Sequence, residues 1–186
     1  MIEALWVERA AALSLTALVL AVSFFDLRER RIPNFLVLPA AGIGLGLGAC
    51  RGWAGLAASA AGLAVGFALL FVPYLLGVMG AGDVKFLAAI GSFVGVAGVV
   101  RVLLLWALCY PLLAAVFVIR ERKVKLTLLR FGRVLCNFLG SFVSGFKLYA
   151  TRLEAHDAPQ IASVRTPFGV ALAMGTLIAL YTPWLR

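Results

Sequence analysis

The sequence predicts an all-α, polytopic membrane bundle of about six transmembrane helices, with one basic amphipathic helix on its cytoplasmic side. Three observations lead to this expectation. Apolar residues make up 63% of the chain and the mean hydropathy is +1.05, more apolar surface than a water-soluble domain of 186 residues can hide. The apolar runs are continuous and rich in Gly, Ala and Leu, whereas the strands of a membrane barrel would alternate in polarity. Charge, finally, collects between the runs. At about 20 residues per span, residues 1–186 hold a single domain of about that many helices.

The first span is placed at 5–25. It is preceded by Glu3 and includes Glu8 against Arg9 alone, the reverse of a signal peptide's basic start, so it is expected to be retained. The second runs over 35–50, with Pro33 suited to the first turn of its helix. The third covers 53–78 and the fourth 84–98. The fourth is short at about 1.5 Å per residue, which is expected to leave Asp83 at a water-accessible edge. The fifth covers 102–119 and the last 167–184. Between them, 120–165 is polar and basic. Within it, residues 124–148 set Leu126, Leu129 and Phe138 against Lys125, Arg130 and Arg133 at helical spacing. That pattern predicts an amphipathic helix on the inner leaflet, with anionic lipid as its partner.

The charge pattern assigns the sides. Arg28, Arg30, Arg31, Lys85 and the nine basic residues of 120–165 fall on one set of connections, leaving Arg9, Arg51, Arg101 and Arg186 for the other. The positive-inside rule makes the first set cytoplasmic and puts both termini outside. It also brings Asp26 and Asp83 to the same face. The net charge of +9 is thereby explained by the membrane surface, and nucleic acid is not expected as a partner. Cys50, Cys109 and Cys136 are isolated and His156 stands alone in a polar loop. Neither a metal site of ordinary spacing nor a His-centred triad is expected, and no cofactor is implied.

Asp26 and Asp83 are the acidic residues set directly against long apolar segments, where a carboxylate is costly and marks a functional hypothesis. Peptide hydrolysis needs an activated water and a proton donor, and two carboxylates sharing one proton supply both. Gly80 and Gly82 allow a backbone turn beside Asp83 and the close approach of an extended substrate. Two structural readings stand beside this one. Asp83 suits an N-cap of the fourth helix, and Asp26 an interfacial pair with Arg28 or Arg30. Ser23 with Lys85 would imitate a Ser-Lys dyad, although a helical Ser ordinarily bonds its own backbone. Asn34 is suited to a local backbone bond or to lining a site.

Asp26-Leu27-Arg28-x-x-x-Ile32-Pro33-Asn34, followed by Gly80-x-Gly82-Asp83-x-Lys85, resembles the bacterial type IV prepilin peptidases, which are membrane aspartyl proteases of the GxGD kind. Thr166-Pro167-Phe168-Gly169 is similar to that family's late Ile-Pro-Tyr/Phe-Gly-Pro motif, with Thr166 for its Ile and Val170 for its second Pro. The resemblance implies Asp26 and Asp83 as the catalytic pair, with Gly80, Gly82, Lys85, Pro33, Asn34, Pro167, Phe168 and Gly169 lining or supporting the site. It implies cleavage of a basic leader from prepilin-like substrates, after a glycine, on the cytoplasmic face of the bacterial inner membrane. The cysteine-bearing cytoplasmic segment of the family's bifunctional members has no counterpart between Asp26 and the second span. The chain is therefore similar to the small peptidase-only branch associated with tight-adherence pili, which implies no N-methyltransferase activity. Two readings from other classes remain: a small transporter or proton relay using the aspartates, and a non-catalytic subunit of a pilus or secretion assembly.

Overall fold

The computed structural model describes residues 2–29, 31–75, 79–120 and 168–182, and among these every regular element is helical. In chain order they are α1 (Ile2–Glu29), α2 (Asn34–Cys50), α3 (Trp53–Leu75), α4 (Ala81–Arg120) and α5 (Phe168–Tyr181). The chain divides into two compact units, and α1 to α3, α5 and α4 as far as Leu112 belong to the first. The expected amphipathic helix at 124–148, and Thr166 and Pro167, lie outside the described residues.

Among the described residues, three stretches, Leu5–Glu29, Trp53–Leu75 and Ala81–Val116, are long and apolar enough to cross a bilayer, and α2 and α5 are shorter apolar helices. The molecule is an integral membrane protein. Its outward apolar surface, including Leu13, Leu20, Phe24, Leu104 and Leu108, is what contact with acyl chains requires.

α1 has two apolar sides, and burial separates them. Ala11, Leu15, Leu18, Val19 and Val22 are buried, spaced three and four residues apart, while Leu13, Leu20, Phe24 and Leu27 are exposed. The inward stripe continues one turn further to Asp26, which is only 6% exposed. An aspartate one position later, in place of the exposed Leu27, would have faced lipid or water.

The first limb of α4 is the centre of the bundle. Val84 and Phe86 through Ser92 are buried on every side, as a helix apolar all round must be. α2 packs on α3 and on α1, and α1 packs on α5. Where α3 meets this limb the backbones nearly touch: a Cβ on Gly62 would collide with the carbonyl of Gly91 and approach Cα of Gly95 to 2.7 Å. Side chains at that crossing would force the helices apart, and small residues at such contacts are the usual means of close packing in membranes.

The expected boundary between the fourth and fifth spans, around 99–101, is corrected. Gly95 has φ +68° and ψ −175° inside α4, a conformation that costs other L-residues dearly. A Cβ on Gly91 would lie 2.8 Å from Cγ2 of Val99, whereas eight residues of straight helix span about 12 Å. The chain therefore folds back at Gly95, and Arg101 is an exposed residue within the second limb. The second limb carries Val102 and Trp106 against Gly175 of α5.

Candidate active site

The segment 31–33 joins α1 to α2 and runs between the two aspartates. Pro33 is the N-cap of α2, with φ −76° and ψ 132°, one residue before the first turn in which it was expected. Ile32, half-buried, is the hinge of the local geometry. A Cβ added to Gly82 would lie 3.1 Å from Cβ of Ile32, and one added to Gly169 would lie 3.2 Å from its Cδ1. The neighbours of Asp83 and of Asp26 thus converge on the same side chain.

Asp26 accepts a hydrogen bond at Oδ2 from the main-chain N–H of Val170, at 3.2 Å. A Cβ on Gly169 would meet that oxygen at 2.9 Å and Cγ of Asp26 at 3.2 Å, so glycine is what lets α5 approach the carboxylate. Phe168, the first residue of α5, packs its ring 4.7 Å from that of Trp106 and 5.7 Å from that of Tyr110. This aromatic contact seats the start of α5 on the second limb of α4.

Asp83 lies in the first turn of α4, not ahead of it. The main-chain N–H of Gly80 donates to Oδ2 of Asp83 at 3.1 Å, and the Asp83 N–H donates to the Gly80 carbonyl at 3.1 Å. This is the returning arm of a capping box, in which the third residue of the helix satisfies the N-cap N–H. The capping reading of Asp83 is therefore realised in this form, and it does not exhaust the residue. Half-buried, Asp83 also interacts electrostatically with Asp26. The two carboxylates occupy one neighbourhood at one end of the bundle.

Lys85 and Asn34 form a pair. Lys85 Nζ donates to Oδ1 of Asn34 at 3.1 Å, tying the start of α4 to the start of α2. The local backbone bond expected for Asn34 gives way to this contact between residues 51 apart. Ser23 Oγ donates to the Val19 carbonyl at 2.7 Å, as a helical serine ordinarily does, and Lys85 is engaged elsewhere. The Ser-Lys dyad is not assembled. Among the described residues no group of His, Cys, Asp and Glu has the geometry to hold a metal ion.

Of the residues singled out from the sequence, Asp26, Asp83, Gly80, Gly82, Gly169, Phe168, Pro33, Asn34 and Lys85 all fall at this end of the bundle, in two linked clusters. Two contributors were not singled out. Ile32 was visible only as part of a motif, and Val170 only as a departure from one.

Residues 13–119 fit the model of the type IV leader peptidase family. No curated protein and no solved structure matches the chain.

Proposed function

Because the chain belongs to the type IV leader peptidase family, we propose that it is an aspartyl endopeptidase in which Asp26 and Asp83 act together on one water. Membership in the family implies a peptidase of prepilin-like substrates. The aspartic class rests on one observation above the others: the glycines beside two carboxylates from helices distant in sequence, Gly169 at Asp26 and Gly82 at Asp83, both pack against Ile32.

The chemistry follows from that arrangement. Two carboxylates brought together over one water hold one proton between them most economically. The ionised member takes a proton from water, the water oxygen attacks the scissile carbonyl, and the protonated member hydrogen-bonds the oxygen on which negative charge develops. Collapse of the tetrahedral intermediate transfers a proton to the leaving nitrogen. Each carboxylate is held by a backbone N–H at one oxygen, that of Val170 for Asp26 and that of Gly80 for Asp83, which limits its rotation. Gly80 is exposed and Gly82 half-buried, and neither carries a side chain to obstruct an extended substrate.

The substrate is a prepilin-like protein whose basic leader is removed at the cytoplasmic face of the bacterial inner membrane, without subsequent N-methylation. The positive-inside count supports the side. The short 30–33 connection supports the peptidase-only reading, because it has no room for a separate methyl-transferring segment. The test is direct. Asp26→Asn and Asp83→Asn, each alone, are expected to abolish release of the leader from a prepilin-like substrate, followed by mass in membranes. Full cleavage by either variant would sink the aspartyl assignment.

A further inference from the structure

The residue at which the chain departs from the family's late motif is the one whose main chain reaches Asp26. Val170 is the third residue of α5, and the first N–H groups of an α-helix have no acceptor within the helix. Here one of them donates to Oδ2 of Asp26 at 3.2 Å. The start of a helix also favours a carboxylate through its aligned peptide dipoles. Gly169 makes the approach possible, since a Cβ there would stand 2.9 Å from the same oxygen.

The far end of α5 is fixed as well. The hydroxyls of Tyr181 and Thr16 are 2.9 Å apart, while Leu172, Ala173 and Thr176 are buried between the two ends. Thr16 and Asp26 are ten residues apart on α1, and Val170 and Tyr181 eleven apart on α5. The two helices are thus pinned antiparallel at matching separations of about 15 Å. The Val170 N–H is held in place by a rigid helix rather than by a loop.

We infer that Val170 is a positioning residue, its main-chain N–H fixing the orientation of the Asp26 carboxylate toward the neighbourhood shared with Asp83. This rests on the aspartyl reading above. The motif that the chain resembles has proline at this place, and proline has no N–H to give. The chain thus holds Asp26 with a donor that the motif pattern lacks. The expected contribution is that of one hydrogen bond to a charged group, not of a whole catalytic residue.

Val170→Pro replaces the amide hydrogen with a ring carbon, so Asp26 loses this donor and its carboxylate must turn away from the start of α5. Proline is compatible with a first helical turn, and Gly169 presents no Cβ to crowd the ring. Val170→Ala keeps the donor and removes the side chain. With the purified full chain and a synthetic peptide carrying a basic leader, a glycine and an apolar segment, Val170→Pro is expected to lower kcat by about five-fold at unchanged KM. Val170→Ala is expected to match the parent. Parent kcat in Val170→Pro, or an equal loss in Val170→Ala, overturns the inference. A readout free of activity runs alongside. Val170→Pro should lower the thermal unfolding midpoint when Asp26 is present and leave it unchanged in an Asp26→Leu background, and equal lowering in both overturns it. Asp26→Asn separates the two claims. Cleavage retained there removes the aspartyl reading itself, whereas cleavage lost there with parent rates in Val170→Pro removes only the positioning role.

Discussion

Gly169 shows how tightly the residues around Asp26 are fitted. Its missing side chain leaves the space that the carboxylate occupies, with Oδ2 of Asp26 and Cδ1 of Ile32 within 3.2 Å of where a Cβ would stand. Gly169→Ala must therefore move Asp26, Ile32 or the start of α5. On the proposed aspartyl mechanism, misplacing Asp26 by about 1 Å is enough to cost up to a hundredfold in rate, so a loss of leader cleavage of about tenfold or more is expected, with helix content by circular dichroism unchanged. Parent activity in Gly169→Ala would mean that the site tolerates a displaced Asp26. What the sequence disclosed at this scale follows from side-chain chemistry. Asp26 and Asp83 announce themselves because a carboxylate against an apolar run is expensive. Val170 contributes a main-chain N–H that any residue but proline has, and Ile32 contributes only bulk at a meeting point. Nothing in residue type marks either role.

At the scale of elements, the helices themselves were legible and their inward faces were not. α1 is apolar on the core side and on the lipid side alike, so no periodicity distinguishes Leu15 and Val22, buried, from Leu13 and Leu20, exposed. The face is set by packing against α2 and α5, which the sequence does not display. The reversal within α4 was misplaced for a related reason. The fourth and fifth spans were parted at 99–101, a connection holding Arg101, whereas the turn occurs a few residues earlier, at Gly95, where the backbone alone permits it. Gly95→Ala tests that backbone argument. The nearest atom to its Cβ is the Ala58 carbonyl oxygen at 3.8 Å, so the cost is conformational, about 1–2 kcal/mol, seen as a lower unfolding midpoint in detergent. Gly46→Ala, with nothing within 4 Å, should be neutral or stabilising by up to about 1 kcal/mol. Gly91→Ala differs from both, since its Cβ would strike the Gly62 carbonyl across the α3 contact, and a loss of about 1–3 kcal/mol from overpacking is expected. Equal midpoints for the Gly95 and Gly46 variants would contradict the assigned turn.

At the scale of the whole molecule, the orientation of the bundle decides which compartment the site serves, and α2 connects that question to one cysteine. α2 begins at Asn34, which is hydrogen-bonded to Lys85 beside the aspartates, and ends at Cys50, the last of its 17 residues. At about 1.5 Å per residue the thiol lies about 25 Å along the helix from the site, at the opposite end of the bundle. Cys50 is exposed and adjoins Arg51, one of the four basic residues that the charge pattern sends outside. If the aspartates face the cytoplasm, Cys50 must emerge on the outer surface. With Cys109 and Cys136 replaced by Ser, a membrane-impermeant maleimide is therefore expected to label Cys50 in intact spheroplasts, before any permeabilisation. Labelling that requires permeabilisation would invert the bundle and place Asp26 and Asp83 outside, where a substrate still carrying its basic leader on the cytoplasmic side would never meet them. Among the described residues, the basic side chains near the site in sequence, Arg28, Arg31 and Lys85, make the inverted arrangement costly, because each would then sit on the face from which the positive-inside bias excludes it.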